Sequence, residues 1–98
     1  MTGPPELLGV SRYWVYILRC SDSTLYTGST TDPDRRLSQH NSGRGSKYTR
    51  TRLPVALAYL ERVKDRSRAL RRESEIKKLS RSSKLLLCSA YANMHSIR

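Results

Sequence analysis

The chain reads as an α+β domain: a small three-stranded, mainly antiparallel sheet flanked by helices, in the order β-β-α-β-α with a short further helix at the end. Three observations predict it. Residues 13–20 are apolar at nearly every position and rich in aromatic and β-branched side chains, as a strand covered on both faces should be. Asp32-Pro33-Asp34 is a helix start. Residues 66–80 form the longest helical segment and follow a third alternating stretch.

Taken in order, residues 1–11 hold Gly3, Pro4, Pro5 and Gly9 with no periodicity, so a flexible leader is expected there. Ser21-Asp22-Ser23 has turn composition, and residues 25–29 return as the second strand of a hairpin. Asp32 can accept from the free amides of the first helix, and Pro33 suits its first position, where no amide partner is needed. That helix should run to about Asn41 and stop at Ser42-Gly43. Residues 42–52 read as a Gly/Ser loop carrying Arg44, Lys47, Arg50 and Arg52, with Tyr48 among them. Residues 53–61 alternate as a third strand, with Pro54 tolerable at its beginning. The helix over 66–80 is capped by Asp65 or Ser67, 84–88 add a short helix, and 89–98 look loose. The expected domain spans 12–88, without internal repeats.

With 98 residues the chain makes one domain, because two cores would each be too small to offset chain entropy. Nineteen Lys+Arg against eight Asp+Glu leave a charge of +11, a field that gathers polyanions, nucleic acid foremost. A basic surface serving only solubility is the alternative. No stretch approaches the roughly 20 apolar residues of a membrane helix, so no membrane is expected as a partner. The first ten residues lack the basic start and long apolar core of a secretory signal. An intracellular location follows, in cytoplasm or nucleoid, or in the nucleus of a eukaryotic or virus-infected cell. Cys20 and Cys88 form no CxxC pair, so a zinc site has no support and free thiols are the default.

Five residues carry chemistry. On a helical wheel Glu73 falls within an apolar stripe of Ala69, Leu70, Ile76 and Leu79, whereas Glu75 points to the polar side. An unpaired carboxylate turned toward a core costs several kcal/mol, so Glu73 needs a partner. The partner is either a metal ion or a cation in an ion pair, Arg36 or Lys77. Arg36 and His40 stand four apart and share one helix face near the rim, with Leu37 as the core contact. A guanidinium meets two phosphate oxygens at once, and an imidazole exchanges protons near neutral pH; a solvated arginine and a surface histidine are the plain reading. Tyr16 and Tyr26 lie on neighbouring strands and share a sheet face if the hairpin pairs residues whose numbers sum to an even value. Both are otherwise ordinary core tyrosines. In the 42–52 loop the cations can neutralise phosphates while Tyr48 stacks on a base. Trp14 is expected in the core, and His95 is incidental.

Together these residues resemble the GIY-YIG nuclease superfamily, in particular its small stand-alone YhbQ-like group, with a wider similarity to the catalytic domain of Slx-type endonucleases. The resemblance covers about residues 13–88. It runs through Tyr13-Trp14-Val15-Tyr16-Ile17-Leu18, Leu25-Tyr26-Thr27-Gly28-Ser29-Thr30 and Asp32-Pro33-Asp34-Arg35-Arg36-Leu37. It continues in Gln39-His40-Asn41, Lys47-Tyr48-Thr49-Arg50 and Arg72-Glu73-Ser74-Glu75-Ile76-Lys77-Lys78-Leu79.

By position, the resemblance implies motif tyrosines at Tyr16 and Tyr26, the helix arginine at Arg36, the helix histidine at His40 and the metal-binding glutamate at Glu73, with Mg²⁺ or Mn²⁺ as the ion. It implies that Tyr26, as first choice, or His40 activates water, that Arg36 stabilises phosphate charge, and that Tyr16 orients water or phosphate. Arg35, Arg44, Lys47, Tyr48, Arg50, Arg52 and Lys77 are the expected nucleic-acid contacts. Trp14 replaces the first motif's glycine and Thr27 the second motif's aliphatic residue. The asparagine that many relatives carry after the glutamate helix has no counterpart. The implied activity is metal-dependent hydrolysis of single-stranded, flap or branched DNA, and the alternative is a non-catalytic nucleic-acid-binding module. No separate DNA-binding domain is evident, so target choice would come from the core or from a protein partner; the oligomeric state is left open.

Overall fold

The computed structural model describes residues 12–95; the expected leader over 1–11 lies outside them. The order is β1 (Tyr13–Arg19), β2 (Leu25–Thr30), α1 (Pro33–Asn41), α2 (Lys47–Arg50), β3 (Ala56–Val63), α3 (Arg66–Lys77) and α4 (Arg81–His95). The strands form one antiparallel sheet in the order β2-β1-β3, as the sequence predicts.

Central β1 is covered on both faces, which is why its run is almost unbroken in apolarity. Val15 and Ile17 point to one side and pack with Ala58, Ala69, Ile76 and Cys88 beneath α3 and α4. Tyr16 and Leu18 point to the other, with Cys20, Val55 and Leu37 of α1. Both cysteines are buried and free, and they belong to these two different clusters. Trp14 is only half-buried and lies under the Arg62 guanidinium, 5.4 Å from its ring centre, rather than in either core.

Helix starts follow the capping residues. Asp32 accepts from Arg35 N at 3.1 Å and Asp65 from Arg68 N at 2.8 Å, so Asp65, not Ser67, caps α3. Elsewhere the structure departs from expectation for identifiable reasons. The third strand begins at Ala56 because the Asn41 amide already engages both Val55 N (2.7 Å) and Val55 O (2.9 Å), which removes that residue from the ladder. It continues to Val63, which pairs with Tyr13. The supposed loop contains α2, where Ser46 accepts from Thr49 N at 3.1 Å. The segment expected to be loose from residue 89 is helical to His95. There Ser80 accepts from Ser83 N at 3.1 Å at the start of α4, and Tyr91 meets Tyr59 edge-on at 5.9 Å between centroids. Along α3 only Ala69 and Ile76 are buried; Leu70 (52% exposed) and Leu79 (37%) leave the expected stripe. Leu79 lies beyond the Lys78 cap, where the helical period no longer applies.

Candidate active site

Everything assembles around β2, an edge strand. Its register pairs Tyr16 with Gly28 and Leu18 with Tyr26, sums of 44, so Tyr16 and Tyr26 share the face toward α1. Gly28 is needed there: a Cβ on it would lie 2.5 Å from the Tyr16 hydroxyl oxygen. A glycine inside a strand commonly marks such a close approach.

Arg36 and His40 both reach that hydroxyl. The Arg36 Nε donates to it at 3.4 Å, and His40 Nε2 lies 3.0 Å away. His40 Nδ1 lies 2.8 Å from Thr49 Oγ1, so each ring nitrogen has a hydroxyl partner and the neutral ring donates to one and accepts from the other. Thr49 in turn reaches Ser46 Oγ at 2.9 Å. Arg36 is also fixed by bonds to Gln39 Oε1 (3.0 Å) and to the Gly45 carbonyl (2.9 Å). A Cβ on Gly45 would collide with the His40 ring, so glycine lets this loop close over the histidine.

The accessibility of these groups sorts them. His40 is fully buried and Tyr16 is 3% exposed. The expectation that His40 sits near the rim is therefore wrong: both its ring nitrogens are committed internally, and it has no surface to offer a water. Burial, then the Arg36 charge, pushes the His40 pKa below 6.5. Burial pushes the Tyr16 hydroxyl above its usual value of 10.0, opposed by the Arg36 bond, so the phenol is protonated at neutral pH.

A pH effect on stability follows. Above pH 6.5 His40 is neutral in both folded and unfolded chains; below it the unfolded chain takes up a proton that the folded one resists. We expect thermal stability to fall as pH drops through and below 6.5, and His40→Gln to flatten that particular slope, read from melting temperatures between pH 8 and 5.

Arg36 faces a groove of about 360 Å³ walled by Ser29, Thr30, Arg35 and Gln39. Ser29 ties this groove to Glu73: its hydroxyl donates to Glu73 Oε1 at 2.7 Å. The other carboxylate oxygen meets Lys77 Nζ at 2.7 Å. Of the partners open to it, Glu73 thus pairs with Lys77 and not with Arg36. The bond from Glu73 raises the Lys77 pKa. The Glu73 side chain is 20% exposed, with one oxygen on the edge of β2 through Ser29 and the other on Lys77. Its charge also acts on the Tyr16 hydroxyl.

Tyr26 is half-buried beside a smaller depression of about 230 Å³ that it lines with Tyr48, Lys77 and Lys84. Its ring meets His40 edge-on at 5.2 Å and stacks on Tyr48 at 6.0 Å. Tyr48 is 37% exposed, and the Arg52 guanidinium covers its ring at 3.8 Å while pairing with Asp22 at 3.0 Å. Of the expected nucleic-acid contacts, Arg35, Arg44, Lys47 and Arg50 are exposed cations, whereas Arg52 and Lys77 hold acids of this chain.

Sequence reasoning assigned no part to Ser29, Gln39, Thr49 and Ser46, which hold Glu73, Arg36 and His40 in place. Their pairings span 3 to 44 positions along the chain. Only Gly28, as a strand glycine, carried a local signal.

Among the described residues no three His, Cys, Asp or Glu gather as a cage. A lone carboxylate beside a hydroxyl fits Mg²⁺ or Mn²⁺, hard ions that keep most of their waters and take further oxygens from phosphate.

Comparison with known proteins shows the family. A profile described as the GIY-YIG catalytic domain matches residues 12–86. A UPF0213 protein of Staphylococcus haemolyticus is 50% identical over 76 residues, covering 78% of this chain and 93% of the relative. One from Natronomonas pharaonis is 53% identical over 72 residues, covering 74% and 85%. Two solution NMR structures are similar. A UPF0213 protein of Bacillus halodurans has a TM-score of 0.52 at 47% identity, covering 80% of this chain and 83% of that one. A protein of E. faecalis has a TM-score of 0.53 at 39% identity, covering 88% of each.

Proposed function

We infer the function from one premise: the chain belongs to the GIY-YIG catalytic-domain family, a family of nucleases. We read it as a divalent-metal-dependent nuclease that hydrolyses phosphodiester bonds in DNA, with single-stranded, flap and branched DNA as its candidate substrates. The observation that carries this reading is the meeting of Arg36 and Glu73 at the edge strand that also carries Tyr26, with Ser29 both lining the Arg36 groove and holding Glu73.

The burial of each group divides the work. Arg36 has three of its N–H donors engaged by Tyr16, Gln39 and Gly45, which aims the fork before substrate arrives. Its remaining donors meet the scissile phosphate and stabilise the charge that grows on its oxygens. Tyr26, rather than sealed His40, is the phenol that can touch an attacking water and take its proton. Tyr16, His40 and Thr49 are positioning residues that act through Arg36 and the Tyr26 ring. Glu73 and phosphate oxygens would hold Mg²⁺ or Mn²⁺, which supplies charge neutralisation at the phosphate. The exposed Arg35, Arg44, Lys47 and Arg50, with Tyr48, bind the flanking chain.

The test is incubation with labelled single-stranded, duplex, flap and four-way-junction DNA, each with Mg²⁺, Mn²⁺ or EDTA. Cleavage of at least one substrate with a divalent ion, and none in EDTA, is the expected result. Salt-sensitive binding without cleavage under every condition would instead identify a non-catalytic module. A protein partner that selects the target would show as weak discrimination among substrates by the chain alone.

A further inference from the structure

Three depressions lie around β2, α3 and β3. The Arg36 groove shares Ser29, Thr30 and Thr31 with a second hollow of about 220 Å³, which adds Tyr13, Arg66 and Leu70. A third, of about 430 Å³, lies between β3 and α3 and is lined by Val63, Lys64, Arg68 and Arg71, among others. Tyr13 and Val63 are partners in the β1–β3 ladder, so the second and third hollows reach neighbouring strands at one end of the sheet, on the two flanks of α3. The path runs from one edge strand to the other, across two strand spacings of about 4.8 Å each, or roughly 10 Å. Phosphates of one strand recur about every 3.4 Å along a duplex axis, so a duplex lying along the path presents about three of them.

We propose that this path is a single phosphate-binding track, which holds the nucleic-acid chain on one side of the scissile bond from the Arg36 groove round to the β3 edge. The proposal rests on the nuclease reading for the location of the cut, but its binding component stands separately. Lys64, Arg66, Arg68 and Arg71 are all exposed along the track. The two acids in the third hollow, Glu61 and Glu75, are both bound by Arg72, at 3.0 and 3.3 Å, so their charge is spent inside the fold. Leu70, 52% exposed in the middle hollow, supplies an apolar contact for a sugar or base between the cations. Such exposure in the expected core stripe has no packing role, and a track gives it one. An acidic protein segment would use the same cations, yet continuity with the Arg36 groove favours the substrate's own backbone.

The test compares the wild-type chain with the quadruple variant K64Q/R66Q/R68Q/R71Q, whose fold is checked by circular dichroism melting. Affinity for an oligonucleotide series of increasing length is measured in EDTA across a range of salt. Wild-type affinity is expected to rise as about three phosphates are added beyond the shortest bound length, and the variant's curve to flatten over that interval. On long duplex the salt slope should shrink by about 0.9 per lost phosphate contact, or roughly 2.7 for three phosphates. In Mg²⁺, KM on long substrate should rise about tenfold or more with kcat unchanged, because phosphate contacts remote from the cut bind without assisting chemistry. Equal loss on the shortest and longest DNA, an unchanged salt slope, or competition by poly-glutamate for these four residues without a DNA effect would overturn the track. If neither protein cleaves any DNA while the length effect is present in wild type and lost in the variant, the track stands and the nuclease reading falls.

Discussion

Glu73→Ala is expected to lower phosphodiester cleavage by at least about 10³-fold, since a metal at phosphate contributes several kcal/mol and each 1.36 kcal/mol is a factor of ten. Nucleic-acid affinity in EDTA should stay equal or tighten slightly. The substitution removes a negative charge from a basic surface and releases Lys77, whose ammonium lies 2.7 Å from Glu73 Oε2. Loss of rate with retained binding separates a chemical role from a structural one. The fold has little reason to suffer: the lost partners are one hydroxyl, Ser29, and one lysine that is half exposed. Single-turnover cleavage and fluorescence anisotropy on one substrate decide the matter, and full activity in the variant would remove Glu73 from the site.

Arg36→Ala should slow turnover by roughly 10²–10³, the cost of losing one donor aimed at transition-state charge. Affinity should fall much less, since one phosphate contact accounts for only about 0.9 of the duplex salt slope. Arg36→Lys should not restore the rate. An ammonium is a point donor and cannot span Tyr16, Gln39 and Gly45 while facing phosphate. Tyr16→Phe should fall between wild type and Arg36→Ala, because it removes the bond that steadies Nε but leaves the fork's other two anchors. An effect on KM alone for Arg36→Ala would reassign the residue to substrate positioning.

Much of this architecture could be read from local pattern. The two hairpin strands, the capped start of α1 and the Asp65 cap of α3 depend on residues within a few positions of each other. The wheel placed Glu73 on the sheet side of α3, although two of the four apolar neighbours used for that argument are exposed, Leu70 and Leu79. The inference about Glu73 survived because Ala69 and Ile76 alone define the buried face.

What escaped was long-range. Four residues of helix between glycines and serines looked like loop, because the stabilising contacts of α2 come from its own cap and from Tyr26 across the fold. The depth of His40 depends on Gly45 and Thr49 closing over it, and no period in the sequence encodes that. The length of α4 depends on Tyr59 and on the sheet surface that buries Cys88.

The sealed imidazole has a practical corollary. The two histidines differ completely in access: His95 is on the surface of α4, and His40 has none of its surface in solvent. An acylating reagent selective for imidazoles will therefore modify the former at once, and reach the latter only when the Gly45 segment opens. The second modification becomes a clock for local opening, readable by mass spectrometry without any knowledge of what the protein cuts.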